Sequence, residues 1–375
     1  MYTAHLTVYR TSLVRRIGGF RSEYDFAQDY DLALRMGDAA REIRHVERIL
    51  YLWRAVPVSY AAGGKNFALK LAFEALKDWY SRNGFETRSL SECDDSDIRD
   101  LWEIRPAIPD FKVSAIISSN DYENVTKCVE SLTVNTSYAN YEIIVVTDAA
   151  TADRLSQDFQ ISKGIRVCLC DDALNLYDKH NRGAALASGD VFCFLGDQIK
   201  PLNGDWLEYM LEALIMPEVG AVTSLQLSDE STIYSAGTVS GMPGIQFPLH
   251  RGKDFNASKT MFFLANPHFI RDVSVLSGDC LVISKDIFEK MKGFDVMDTP
   301  EFLNCMDLSF RLAENGYRCV YTPYAYVLNA GSPCRITEKN DKAFQGFTRR
   351  WHGRLVRDAC FTNSMKRVYG ITSAK

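Results

Sequence analysis

A chain of 375 residues, 46% hydrophobic and 24% charged, is long enough to bury one large core or two ordinary ones. Its net charge is only -5 and no Lys/Arg block stands out, so nucleic-acid binding, which needs clustered cations against phosphate, gets no support. No apolar run reaches the roughly 18 residues of a membrane span, and MYTAHLTVYRTSLVRR lacks the basic-then-apolar order of a signal peptide.

The ten cysteines are scattered. Cys168 and Cys170 are one residue apart, which fits neither a zinc knuckle nor a redox pair. Cys193 and Cys280 lie in apolar runs, where a thiol acts as a small hydrophobe. A reducing cytoplasm is the expected setting, with a peripheral place at the inner face of the membrane.

In chain order, the first informative feature is internal. VYRTSLVRRIGGF (8–20) parallels VISKDIFEKMKGF (282–294), and DYDLALRM (29–36) parallels CMDLSFRL (305–312). The second pair matches Asp31 with Asp307, Leu32 with Leu308 and Arg35 with Arg311. Two matches at nearly one offset indicate a duplicated domain and not a solenoid. About 170 residues of strand–helix alternation precede the second copy, and almost none precede the first. Residues 1–85 are therefore expected to be the C-terminal half of a GT-A-like domain plus a helix. Either the chain is a fragment of a longer tandem protein, or the half-domain survives by packing on a complete partner. The fragment is favoured, because a half-domain alone leaves a sheet edge and core uncovered; that edge could also drive homo-oligomerisation.

NFALKLAFEALKDWYSRNG (66–84) has helical apolar spacing and ends on glycine. Residues 86–111 are polar, acidic and then proline-bearing, and read as a linker. From 112 onward come a strand at 113–119, a helix at 122–134, strands at 142–146 and 165–170, a helix at 180–188 and a strand at 190–197. Such alternation implies a doubly wound sheet, which binds ligands beyond the carboxyl ends of its strands. Those ends hold Ser118 to Asp121, then Thr147 and Asp148, then Asp171 and Asp172, then Gly196 to Gln198. With no G-x-G-x-x-G or Walker loop, dehydrogenase and P-loop chemistry are disfavoured.

YEIIVVTD (141–148), NRGAALASGDVFCFLGD (181–197), DWLEYML (205–211), PEVGAVTS (217–224), TIYSAGTV (232–239), the stretch from Asp272 to Val282, KGFD (292–295), MDLSFRL (306–312) and GYRCVYTPYA (316–325) together resemble a family 2 glycosyltransferase. The resemblance is to the tandem-domain type of bacterial polysaccharide synthesis. It implies an α/β GT-A fold, a doubly wound mixed sheet over 112–375, preceded by the partial copy. It implies inverting transfer of a sugar from a nucleotide-diphosphate donor to a cell-envelope glycan acceptor. Ser119, Asp148, Asn181, Arg182 and Asp197 would line the donor site, with Asp197 also the metal ligand for Mg²⁺ or Mn²⁺. Asp279 would lie on the acceptor side and Asp307 would be the catalytic carboxylate.

Each residue also has a plainer reading. Asp197 fits an ordinary strand-end turn, Asn181 and Arg182 fit a helix start, and Asp307 with Arg311 fits an i,i+4 surface pair. Three positions depart from the family pattern. Gln198 stands beside Asp197 where an acidic pair is expected, Asn329 stands at the later histidine, and Cys305 stands at the acidic position taken as the base. These substitutions keep a second expectation open, a catalytically degenerate domain that binds a glycan or acts as a scaffold.

Overall fold

The computed structural model describes residues 6–46, 48, 50–52, 65–92, 102–158, 165–229, 231–241, 245–256, 266–331, 342–361 and 365. Two compact units divide the chain, Met1–Ala107 and Ile108–Lys375.

In the first unit, helices α1 (Thr11–Arg16), α2 (Gln28–Ala39) and α3 (Lys65–Arg82) are followed by strands β1 (Thr87–Glu92) and β2 (Trp102–Pro106). The amphipathic stretch read at 66–84 is α3. Asp38 of α2 accepts from Trp79 Nε1 at 2.7 Å and pairs with Arg82 at 2.8 Å, which ties α3 to α2. Within the stretch read as polar and extended, β1 and β2 form an antiparallel ladder.

The second unit begins with β3 (Val113–Ser118), α4 (Tyr122–Asn135), β4 (Tyr141–Thr147), α5 (Ala149–Asp158), β5 (Ile165–Leu169), α6 (Leu176–Leu186) and β6 (Val191–Leu195). Every residue of β3 and β6 is buried, as a strand covered on both faces requires. Asp121 caps α4 by accepting from Asn124 N at 3.0 Å. The sixth helix starts earlier than its apolar pattern indicates. Asn175 accepts from the amides of Tyr177 and Asp178 and so nucleates the first turn. Gly183 lets α6 lie directly on the sheet, since a Cβ there would sit 2.5 Å from Ile116 Cγ2.

Then follow β7 (Ile199–Pro201), α7 (Trp206–Leu214), β8 (Val219–Leu227), β9 (Ile233–Ser235), β10 (Thr238–Ser240), β11 (Gln246–Pro248), β12 (Arg271–Asp272), β13 (Cys280–Ser284), α8 (Lys285–Lys290), α9 (Asn304–Glu314), β14 (Arg318–Asn329), α10 (Lys342–Arg350) and α11 (His352–Val356). The main sheet runs β12-β14-β8-β13-β6-β3-β4-β5, with β7 on β14 and β9 on β8. Strands β6, β3, β4 and β5 are mutually parallel, whereas β13 is antiparallel to both β6 and β8. The sheet is therefore mixed. Because β4 and β6 lie on opposite sides of β3, the chain reverses its winding there and opens a crevice at the carboxyl ends. Apolar clusters fill both faces, one centred on Ile117, Leu132 and Trp206, the other on Ile116, Phe194 and Leu281.

The duplicated segments fold alike. Arg35 pairs with Asp31 at 2.6 Å and donates to the carbonyls of Ile17 (3.0 Å) and Gly19 (2.7 Å). Arg311 pairs with Asp307 at 2.6 Å and donates to the carbonyls of Met291 and, at 2.9 Å, Gly293. Gly19 and Gly293 both have φ +69°, and each returns its amide five residues back, to Val14 and Phe288. In both units an Arg clasps the left-handed turn that ends the preceding helix. The surroundings differ. Val282 and Phe294 are 0% and 3% exposed, while Val8 and Phe20 are 87% and 64% exposed.

Candidate active site

The strand ends of β3, β4 and β6 converge. Past β3, Ser119 donates its hydroxyl to Asp197 Oδ2 at 2.5 Å, joining the end of β3 to the turn after β6. The next residue, Asn120, reaches three neighbours. Its Oδ1 accepts from Asp148 N at 3.2 Å and from Lys179 Nζ at 2.7 Å, and its Nδ2 donates to Asp172 at 3.2 Å. Asp148 itself caps α5 through Thr151 N at 2.7 Å, and that bond holds its carboxyl below the usual range. Ser119, Asp148 and Asp197 are thus brought to one crevice.

An open cleft of about 670 Å³ adjoins them, lined by Asn120, Tyr122, Asp148, Thr151 and Arg154 among others. Arg154 stacks on Tyr122 at 3.7 Å. The cleft faces the N-termini of α4 and α5, whose capping carboxylates Asp121 and Asp148 line it together with Glu123, against the one cation Arg154 in the lining. Lys179 adds a cation, although it is only 6% exposed. Sequence reasoning missed it, because a lysine in a helix normally points to water and nothing in LYDKHNRG marks this one as turned inward.

Two expected donor-site residues have other roles. Asn181 donates its amide to Phe294 O at 2.9 Å and accepts Phe294 N at 3.0 Å, so it fastens α6 to the turn after α8. Arg182 is exposed, on the side of α6 nearest Cys168 and Cys170. His180, just before Asn181 in the chain, is buried among Tyr177, Phe194 and Phe294, with Nδ1 2.9 Å from Ser118 Oγ. Burial lowers its pKa to about 3, and it is neutral at physiological pH.

The catalytic expectation for Asp307 is corrected. The residue is 0% exposed; one oxygen accepts from Arg311 Nε and the other from Trp351 Nε1 at 2.9 Å. No reacting hydroxyl can approach a carboxylate enclosed this way, and neither is it the surface pair that its spacing allowed. The nearby Cys305 is buried with its thiol 3.3 Å from Tyr177 OH, and burial pushes it up to about 12. It cannot serve as a base at neutral pH.

Asp279 lies behind the Asp197 turn, its carbonyl accepting from Gly196 N at 2.9 Å. Burial raises its carboxyl, opposed by hydrogen bonds from Asn329 and Ser277 and by the charge of Arg251. Asn329 is a hub. Its Nδ2 donates to Asp279 Oδ2 and to Gln226 Oε1, each at 3.0 Å, while Oδ1 accepts from Gly331 N at 2.9 Å. Gln226 in turn donates to Ser277 Oγ at 2.8 Å. Asn329 pairs with Ile199 across β14 and β7, which sets it beside Gln198.

The divalent cation implied by the resemblance needs several oxygen ligands with net negative charge. Here Asp197 offers one carboxylate already holding Ser119, Gln198 is neutral, and Asn329 is engaged with Asp279, Gln226 and Gly331. Among the described residues no cluster of three His, Cys, Asp or Glu is placed to hold a metal. The residues present do not fit the ion.

Comparisons with known proteins agree with the architecture. Residues 115–291 match the family described as "Glycosyl transferase family 2". It is 29% identical over 358 residues to protein y4gI of Sinorhizobium fredii, covering 93% of this chain and 39% of that one. It is 28% identical over 344 residues to the O-antigen biosynthesis protein RfbC of Myxococcus xanthus, covering 89% and 26%. The chain thus spans well under half the length of both relatives. Among solved structures, a crystal structure of GalNAc-T7 with UDP, GalNAc and Mn²⁺ aligns with a TM-score of 0.51 at 14% identity. It covers 71% of this chain and 52% of that one, a likeness of GT-A fold. Among the described residues, no helix is long and apolar enough to cross a membrane.

Proposed function

We propose, taking as premise the family 2 glycosyltransferase domain of residues 115–291, that the chain transfers a sugar from a nucleoside-diphosphate donor to a surface glycan of O-antigen type, with inversion. The observation that carries this reading is the 2.5 Å bond between Ser119 and Asp197 at the winding reversal of the sheet. It holds a carboxylate where ribose hydroxyls of a nucleotide would reach it.

Around that pair, Asn120 and Asp148 orient the nucleoside. Arg154 in the cleft wall and Lys179 beside Asn120 favour its negative charge. Asp279 stands on the acceptor side, its carbonyl tied to the turn that holds Asp197. The clasp shared by Asp31–Arg35 and Asp307–Arg311 supports reading the first unit as the back half of a second GT-A-like domain.

Titration calorimetry of the full chain with UDP-, GDP- and dTDP-sugars tests the donor site. Micromolar binding of at least one is expected. Ser119→Ala should weaken it about 5- to 20-fold, the loss of one charge-assisted hydrogen bond. Silence across all three donors would favour the scaffold reading, to which the neutral residues Gln198, Cys305 and Asn329 point.

A further inference from the structure

Four residues close a polar circuit at the back of the crevice. Asn329 Nδ2 binds Asp279 and Gln226, Gln226 Nε2 binds Ser277, and Ser277 bonds back to Asp279. Both donors of the Asn329 amide are used within hydrogen-bond distance, and its oxygen holds Gly331 N. A Cβ built on Gly331 would lie 2.9 Å from Asn329 Oδ1 and 3.9 Å from Gln198 Oε1, so the two amide oxygens border one small space. Among the described residues, the carboxylates near it are Asp197, from the strand-end turn, and Asp279, whose Oδ2 already accepts from Asn329.

The energetics oppose a cation there. A hard divalent ion gives up water reluctantly and needs charged oxygens in return. Asn329 could swing toward an ion only by leaving Asp279 or Gln226 unpaired, at a cost of about 1–3 kcal/mol for each buried group left without a partner. The amide oxygens of Asn329 and Gln198 are neutral, so even a spare lone pair on them brings the ion no charge, as a carboxylate would.

We infer that this site binds its nucleoside diphosphate without a divalent metal, and that Gln198 and Asn329 are the two residues that set this independence. The inference rests on the donor-site reading given above. It also identifies the site's specificity in ionic terms: the partner is the free nucleotide anion and not its metal complex. The positive charge the anion meets comes from Arg154 in the cleft wall and from Lys179 behind Asn120.

The test is calorimetry of the full chain with UDP, GDP and dTDP, each in EDTA and in MnCl₂. Dissociation constants that agree within threefold in the two buffers are expected. Tightening by tenfold or more with Mn²⁺ would overturn the inference while leaving the donor site intact. No binding in either buffer would instead remove the donor-site reading, and the inference with it. The double variant Gln198→Asp, Asn329→His should acquire tenfold or greater tightening by Mn²⁺. Should the buried Asn329 substitution unfold the chain, Gln198→Asp alone, at a partly exposed turn outside the circuit, is expected to gain a smaller dependence. Variants that fold, bind nucleotide and stay indifferent to Mn²⁺ would overturn the assignment to these two positions.

Discussion

Replacing Asp307 by alanine separates a structural carboxylate from a catalytic one. The side chain is fully buried, with Arg311 Nε at 2.6 Å on one oxygen and Trp351 Nε1 at 2.9 Å on the other. Removal leaves the Arg311 guanidinium, whose side chain is 13% exposed, without its counter-charge, although its bonds to Met291 and Gly293 remain. Breaking a buried ion pair from one side costs roughly 3–5 kcal/mol. The orphaned indole N–H adds to the upper end of that range. Against a typical domain stability of about 5–15 kcal/mol, this is a large fraction. The urea midpoint of the second unit's transition should fall sharply. Nucleotide affinity of the molecules still folded should change by less than threefold, because Asp307 lies outside the crevice. The assay is urea unfolding followed by fluorescence, paired with calorimetry in dilute buffer. An unchanged midpoint together with a hundredfold loss of transfer rate would refute the reasoning and restore Asp307 as a base.

Two further outcomes follow from named contacts. His180 has its pKa lowered to about 3 by burial, against about 6.5 when unfolded, so between those values the unfolded chain binds the extra proton. Stability should therefore fall as pH drops from about 6.5, by about 1.4 kcal/mol per pH unit for this one proton. His180→Gln should flatten the slope of unfolding free energy between pH 6.5 and 5; identical slopes would contradict the assignment. Gly183→Ala places a methyl 2.5 Å from Ile116 Cγ2 and 3.0 Å from Val146 Cγ2, and overpacking of this kind costs about 1–3 kcal/mol. Chemical denaturation measures it, and a stabilised variant would mean that α6 does not lie as close to β3 as described.

Periodic features were legible from sequence for a physical reason. Alternation of buried strands with amphipathic helices is a local property, read over windows of five to fifteen residues, and it anticipated β3, α4, β4, β5 and β6. The helix boundary at Asn175 was misplaced because a side-chain cap, and not apolar spacing, starts the turn. The repeat was legible because the same clasp needs the same residues twice, Asp31 with Arg35 and Asp307 with Arg311.

What sequence alone determined is the resemblance of family type, the α/β winding and the strand ends that face one another. What only the tertiary structure decided is which polar residue serves that site. The partners that decide it are far away in the chain: Ser119 and Asp197 are separated by 78 positions, Asn120 and Lys179 by 59, Asn329 and Asp279 by 50, Asp307 and Trp351 by 44. An aspartate's chemistry depends on whether such a partner leaves its oxygens free, and residue type does not encode that. The same carboxylate meets the Ser119 hydroxyl at the strand ends as Asp197 and is a buried brace as Asp307, because folding gave the second an arginine and an indole inside a core.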